Sequence, residues 1–188
     1  APAPRSGFFE PEAVSRVAAA LPGTVGDVVR FAHLTGWRRG EILGLTWERV
    51  DPRAGVITLP HSKNGYGRSG PVGGQLAALV EARWAARALG VPWVFHRDGR
   101  PVKRFDGAWR TACAAAGLTG RLFHDLRRTA VRDLVRAGVP ETVAMTISGH
   151  RSRSVFERYN IASERDRAEA LRRADAYRDA DTSRTGSA

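Results

Sequence analysis

Residues 121–160 read RLFHDLRRTAVRDLVRAGVPETVAMTISGHRSRSVFERYN, and the rest of the chain is understood from this stretch. Leu126, Ala130 and Leu134 recur at helical spacing, which predicts a helix from about His124 to Ala137, broken by Gly138 and Pro140. His124 and Arg127 stand three apart, so both project from one face, beside the apolar stripe and partly buried. Arg128, Arg132 and Arg136 form an outward row at four-residue spacing. A guanidinium at the edge of a core costs free energy unless it is paired, so Arg127 is more informative than that outer row. Pro140 opens a short helix that ends at Ser148–Gly149, directly before His150. Ser154 and Glu157 have capping-box spacing for a further helix carrying Tyr159. Arginines supply fixed charge and forked donors, an imidazole can move a proton and a phenolate can attack, a set suited to handling a phosphate without a metal. On periodicity alone, Tyr159 shares a face with Val155 and Phe156 and reads as a core tyrosine with a satisfied hydroxyl.

Upstream, one helix is expected from Pro11 to before Pro22, and a second from about Thr24 that buries Val25, Val28, Val29 and Ala32. Gly36 marks a turn into a short helix whose buried side is Ile42, Leu43, Leu45 and Trp47. Arg38 and Glu41 are three apart at its start; singly they read as a solvated charge and a carboxylate favoured by the helix dipole. From Asp51 to Val72, turn signals surround the β-branched run Val56–Leu59, predicting a small antiparallel sheet with Lys63 at or near a hairpin tip. A hairpin tip can carry a long amine into a site, although an exposed loop is the usual place for a lysine. Gly65, Gly67 and Gly70 match dinucleotide-loop spacing, but Pro71 follows at once and no helix opens at the third glycine.

Further along, Gln75–Leu89 reads as a helix lined by Leu76, Val80 and Trp84. His96 has no neighbours at metal-ligand spacing and reads as a surface or capping histidine. Phe105, Ala108, Trp109, Ala112, Cys113 and Ala116 form a core stripe closed by Gly117, so Cys113 is a small core residue. A last, polar helix from about Ser163 to Ala180 is marginal alone and needs a groove to dock into. Residues 1–7 read as a linker, and residues 181–188 as a disordered tail.

The chain has 188 residues, enough for one domain with a real core, and 43% of them are apolar. Its 30 basic against 19 acidic residues leave a net charge of +11, which favours an anionic partner and nucleic acid first. Only Lys63 and Lys103 interrupt a basic set made otherwise of arginine, the residue suited to bidentate phosphate contact. One cysteine excludes an internal disulfide and a cysteine-rich metal cluster, and no carboxylate constellation suggests a bound cation. No apolar run reaches membrane-spanning length and no signal peptide is visible, so no membrane partner and a cytoplasmic location are expected.

Taken together, TGWRRGE, SKNGYGR, HDLRRT, SGH and ERY resemble, in order and interval, the signature of the tyrosine recombinases, the phage-integrase-like family. The resemblance covers about residues 8–180 and implies a mainly α fold with a small antiparallel β-sheet (α+β), the catalytic-domain architecture of that family. It implies six catalytic residues: Arg38, Lys63, His124, Arg127, His150 and Tyr159, with Glu41 bracing Arg38. It further implies attack by Tyr159 on DNA to form a 3′-phosphotyrosyl link, without metal, cofactor or ATP. Double-stranded DNA is the implied partner, with Arg39, Arg121, Arg128 and Arg151 as candidate phosphate contacts. Self-association on DNA as a tetrameric synapse, with the C-terminal helix lent in trans, is implied too, as is an N-terminal DNA-binding domain that this stretch lacks. The family points to a bacterial or phage-derived protein. A type IB topoisomerase-like enzyme shares the tyrosine chemistry. A DNA-binding module without catalysis would also suit so basic a chain, and a metal-dependent nuclease is the third competing class.

Overall fold

The computed structural model describes residues 7–59, 67–157 and 164–185. Its helices are α1 (Pro11–Ala19), α2 (Gly23–Thr35), α3 (Arg39–Leu43), α4 (Gly74–Ala85), α5 (Asp106–Ala115), α6 (Asp125–Arg136), α7 (Glu141–Ser148), α8 (Arg153–Glu157) and α9 (Glu164–Thr185). Strands β1 (Val50–Asp51), β2 (Val56–Leu59) and β3 (Arg68–Pro71) form one antiparallel sheet in that order. Strands β4 (His96–Arg97) and β5 (Arg100–Pro101) form a second hairpin. The mainly helical class with small antiparallel sheets is the one expected from the residue pattern.

Helix α2 is the hub. Its sequence GTVGDVVRFAHLT buries Val25, Val28, Val29, Phe31 and Ala32, a stripe wide enough to face several neighbours at once. It packs against α1, α6, α3 and α4. Gly26 lets α1 approach closely, because a Cβ there would collide with the Ala18 carbonyl. Phe31 meets Trp37 and Phe95 edge-on, at centroid distances of 5.4 and 5.5 Å. A second, smaller cluster of Val131, Ala144 and Phe156 joins α6, α7 and α8.

The segment Gly7–Glu10, which begins at the last residue of the expected linker, is strapped across α6. Phe9 is fully buried, and its backbone N–H donates to Thr129 Oγ1 at 3.0 Å. Arg132 reaches the same segment, donating to Phe9 O at 2.8 Å and to Glu10 at 2.9 Å while covering the Phe8 ring. This corrects the outward row: Arg136 is exposed and Arg128 half-buried, but Arg132 is only 7% exposed. Four-residue steps on a helix drift by about 40° each, and the strap lies where the middle step falls.

Other local expectations shift. α4 ends at Ala85, leaving Leu89 fully exposed beyond it. Ala108 is exposed, whereas Phe105, Trp109, Ala112 and Cys113 are buried as the stripe requires. Burial pushes the Cys113 thiol up to about 11, as befits a core residue. His96 is neither a surface nor a capping histidine, since both its ring nitrogens are shielded from solvent without a hydrogen-bond partner among the described residues. The Ser154–Glu157 box does not cap α8. That helix starts earlier, with Ser152 O receiving the Val155 and Phe156 N–H groups, and Ser154 lies inside it. Helix α9 continues through Asp181, where the tail was expected to begin. No described helix is long and apolar enough to cross a membrane.

Candidate active site

Four of the six expected catalytic residues lie within the described part of the chain, and they come together. Lys63 and Tyr159 fall outside the described residues.

Arg127 sits in the first turn of α6 and is 3% exposed. Its Nη1 donates to Gly36 O, at the C-terminal end of α2, and to Ser148 O, at the C-terminal end of α7. Those carbonyls carry the negative end of each helix dipole, so two helix ends hold one buried cation. Both ends close with a left-handed glycine, Gly36 at φ 64° and Gly149 at φ 72°, as a tight C-terminal turn demands. A Cβ on Gly36 would stand 3.2 Å from the Ala130 Cβ, so α6 also packs closely over this turn.

Arg38 immediately precedes α3. Glu41 accepts its backbone N–H on Oε2 at 2.9 Å and its Nη1 on Oε1 at 3.1 Å. The backbone bond is the returning half of a capping box; the side-chain bond aims the guanidinium. Glu41 therefore holds Arg38 at two points, backbone and guanidinium. It also accepts Nη2 of Arg68, the first residue of β3, at 2.7 Å. Burial alone would raise the Glu41 pKa; the Arg38 backbone bond and the Arg68 and Arg38 side chains outweigh it and hold the carboxyl below its ordinary value.

His150 follows Gly149 and is 7% exposed, its ring edge-on to Phe156 at 5.5 Å. Ser148 Oγ donates to Ala144 O at 2.7 Å and lies 2.8 Å from His150 Nδ1. The contact serves either neutral tautomer: the hydroxyl accepts from Nδ1–H, or it donates to a bare Nδ1 and leaves the ring proton on Nε2. Lost hydration, then Arg127, Arg38, His124 and Arg68, lower the His150 pKa to about 3. His124 lies just before α6 rather than within it and keeps an open edge, so it is more exposed than expected. Its pKa is also lowered, first by lost hydration over the rest of the ring, then by Arg127, Arg128 and Arg38. Arg38 and Arg127 thus act on both imidazoles, although Arg38 stands far from His124 and His150 in sequence. The place where these groups meet is cationic and suited to a multiply charged anion.

A cavity of about 520 Å³ adjoins the site, lined in part by His124, Arg127, Trp37 and Phe105. Arg39 lies at its edge, with Nη1 2.6 Å from Asp106 and the guanidinium 4.3 Å above the Phe105 ring. Arg121 lines the same cavity, Arg128 is half-buried and Arg151 is exposed. Among the described residues, no three His, Cys, Asp or Glu side chains are grouped so as to hold a metal ion.

Three contributors have no role assigned to them by the residue pattern: Arg68, Ser148 and Trp37. Trp37 Nε1 donates to Ile147 O at 3.0 Å, tying the turn before α3 to α7. Trp37 lies within TGWRRGE, Ser148 within SGH, and Arg68 closes SKNGYGR; the partners of Trp37 and Arg68 are distant in sequence, whereas the Ser148 hydroxyl meets Ala144 and His150 nearby.

The Phage integrase family model matches residues 14–165. A shufflon-specific DNA recombinase of Escherichia coli is 33% identical over 135 residues, covering 70% of this chain and 33% of that protein. The integrase of Salmonella phage P22 is 31% identical over 168 residues, covering 81% and 43% respectively. The chain thus spans less than half the length of either relative. Among solved structures, XerA recombinase superposes with a TM-score of 0.76 at 18% identity, over 93% of this chain and 65% of that one. A lambda integrase dimer bound to a COC′ core site gives 0.70 at 20% identity, over 86% and 49%. These two likenesses carry the fold.

Proposed function

Because the chain belongs to the phage integrase family, we propose that it is the catalytic domain of a tyrosine-type site-specific DNA recombinase. The observation that carries this reading is the meeting of Arg38, Arg127, His124 and His150 in one cationic site built from separate parts of the chain. The relatives named above are a recombinase and an integrase, which does not favour a topoisomerase-like enzyme.

In this reading Tyr159 attacks a DNA phosphodiester. The phenolic oxygen bonds to phosphorus and the bond to the 5′-oxygen breaks, leaving a 3′-phosphotyrosyl link and a 5′-hydroxyl. A phenol near pKa 10 needs help to lose its proton, and His124 is the acceptor. Its lowered pKa keeps the ring neutral at pH 7, so it has a lone pair to offer. Lys63 delivers a proton to the departing 5′-oxygen. Arg38 and Arg127 hold the non-bridging oxygens, where charge gathers as phosphorus becomes five-coordinate. Both are pre-aimed, one by Glu41 and the other by two helix ends, so little reorganisation is required at the moment of reaction. His150 offers a further donor to the phosphate as its neutral Nε2–H tautomer, with Nδ1 accepting from Ser148 Oγ. The ester energy is kept in the protein link, so strands can be rejoined without ATP.

The partner is double-stranded DNA, contacted by Arg121, Arg128 and Arg151. Arg39 joins them only if a phosphate displaces Asp106. Helix α9 is polar, with Leu171 at 65% and Tyr177 at 74% exposure, and it makes no broad packing with the other described elements. It serves as the segment lent to a neighbouring subunit in a tetrameric synapse, and an N-terminal DNA-binding domain completes the grip on the duplex. The place of action is bacterial cytoplasm.

The test is incubation of the longest form the gene encodes with nicked suicide duplexes carrying candidate sites. A protein–DNA adduct that survives denaturation, persists in excess chelator and vanishes in Tyr159→Phe is the expected result. Salt-sensitive binding with no adduct on any cognate site would leave only a DNA-binding module.

A further inference from the structure

Arg68 belongs to none of the motif positions assigned a role above, yet it stands where three site-bearing elements meet. Its side chain is 14% exposed. Nη2 is bound to Glu41 Oε2, the same oxygen that receives the Arg38 backbone N–H, at 2.7 and 2.9 Å. Its guanidinium lies over the Trp37 ring at 4.7 Å, and Trp37 in turn is anchored to α7 through Ile147 O. It also fills the space beside Gly149: a Cβ there would collide with the guanidinium. Gly149 is thus required for two reasons, its positive φ and the room it leaves for Arg68.

We propose that Arg68 is a positioning residue for strand cleavage, seating Arg38 through Glu41 and His150 through the Gly149 turn. Glu41 has two oxygens and three donors to satisfy. With Arg68 present, Oε2 is held at the base of β3, and Oε1 faces Arg38 Nη1 in one orientation. Without it Oε2 keeps only the Arg38 backbone N–H, so the carboxylate is held less firmly and the guanidinium it aims loses its fixed direction. The notch beside Gly149 empties at the same time, so the His150 turn loses the guanidinium that fills the space beside it. Arg68 makes these contacts within the protein, so its loss acts on the chemical step rather than on DNA affinity. This inference rests on the recombinase reading of the site.

The experiment compares the parent protein, Arg68→Ala, Arg68→Lys and Arg38→Ala, each in the longest form the gene encodes. Adduct formation is timed at saturating suicide duplex, alongside DNA affinity and thermal unfolding. Two duplexes are used: an ordinary one, and one with a methylphosphonate at the scissile position, which removes the charge that Arg38 would neutralise. Arg68→Ala should slow adduct formation on ordinary DNA by about 10- to 100-fold, the range for a displaced catalytic group, with affinity within about 3-fold. On the neutral duplex its deficit should shrink alongside that of Arg38→Ala. Arg68→Lys, lacking the planar fork, should recover less than half of the lost rate on a logarithmic scale. An Arg68→Ala protein that cuts at the parent rate, or one whose deficit is equal on both duplexes while that of Arg38→Ala shrinks, overturns the proposal and leaves the recombinase reading standing. A parent protein that forms no adduct on its cognate site overturns both.

Discussion

Acidification should destabilise this protein through His150, and the size of the effect follows from the site. The folded ring is buried, faces Arg127, Arg38 and Arg68, and has a pKa of about 3, whereas the unfolded ring titrates at 6.5. Between these values the unfolded chain holds one more proton than the folded chain, so stability falls as pH drops through this window and is fully present above 6.5. At pH 4.5 the unfolded ring is two units below its own pKa and the folded ring is still neutral. At about 1.4 kcal/mol per unit, that gap costs about 3 kcal/mol relative to neutral pH. Other groups titrate in the same range, so the quantity to measure is a difference. Urea unfolding of the parent and of His150→Gln is followed at pH 7.0 and pH 4.5; glutamine can keep the Ser148 contact but has no proton to gain. The parent should lose about 3 kcal/mol more than the variant between the two conditions. Equal losses would refute the reasoning, as would an NMR titration placing His150 of the folded protein near 6.5.

Two further outcomes are expected. Arg127→Ala should lose roughly 3 kcal/mol, because Gly36 O and Ser148 O are left buried without their donor; denaturant midpoints would read this, and adduct formation should fall below detection. Thr129→Val should cost about 1–3 kcal/mol by stranding the buried Phe9 N–H; accelerated hydrogen exchange at Phe9 would accompany it, whereas unchanged protection would show that the strap is held by other contacts.

Much of this molecule is legible in its residue pattern. Val25, Val28, Val29 and Ala32 announce the buried side of α2, and Trp109, Ala112 and Cys113 that of α5, because a 3.6-residue period is written along the chain itself. Glycine at positions 36 and 149 announces helix ends for an equally local reason. The same local rules misjudge Arg132, which points into the protein because a distant strap lies across it. They misplace the start of α8 as well, where Ser152 rather than Ser154 holds the first N–H groups.

The residue types at positions 38, 41, 124, 127 and 150, and the order in which they occur, belong to the sequence by itself. Tertiary structure alone decides their allegiances: that Arg127 ties two helix ends together, that Arg39 is held by Asp106, and that Glu41 is shared between Arg38 and Arg68. The physical reason is that helical and strand periods are set by neighbours a few residues apart. A guanidinium's partner is whichever oxygen the folded chain brings within about 3 Å, and sequence spacing carries no record of that distance.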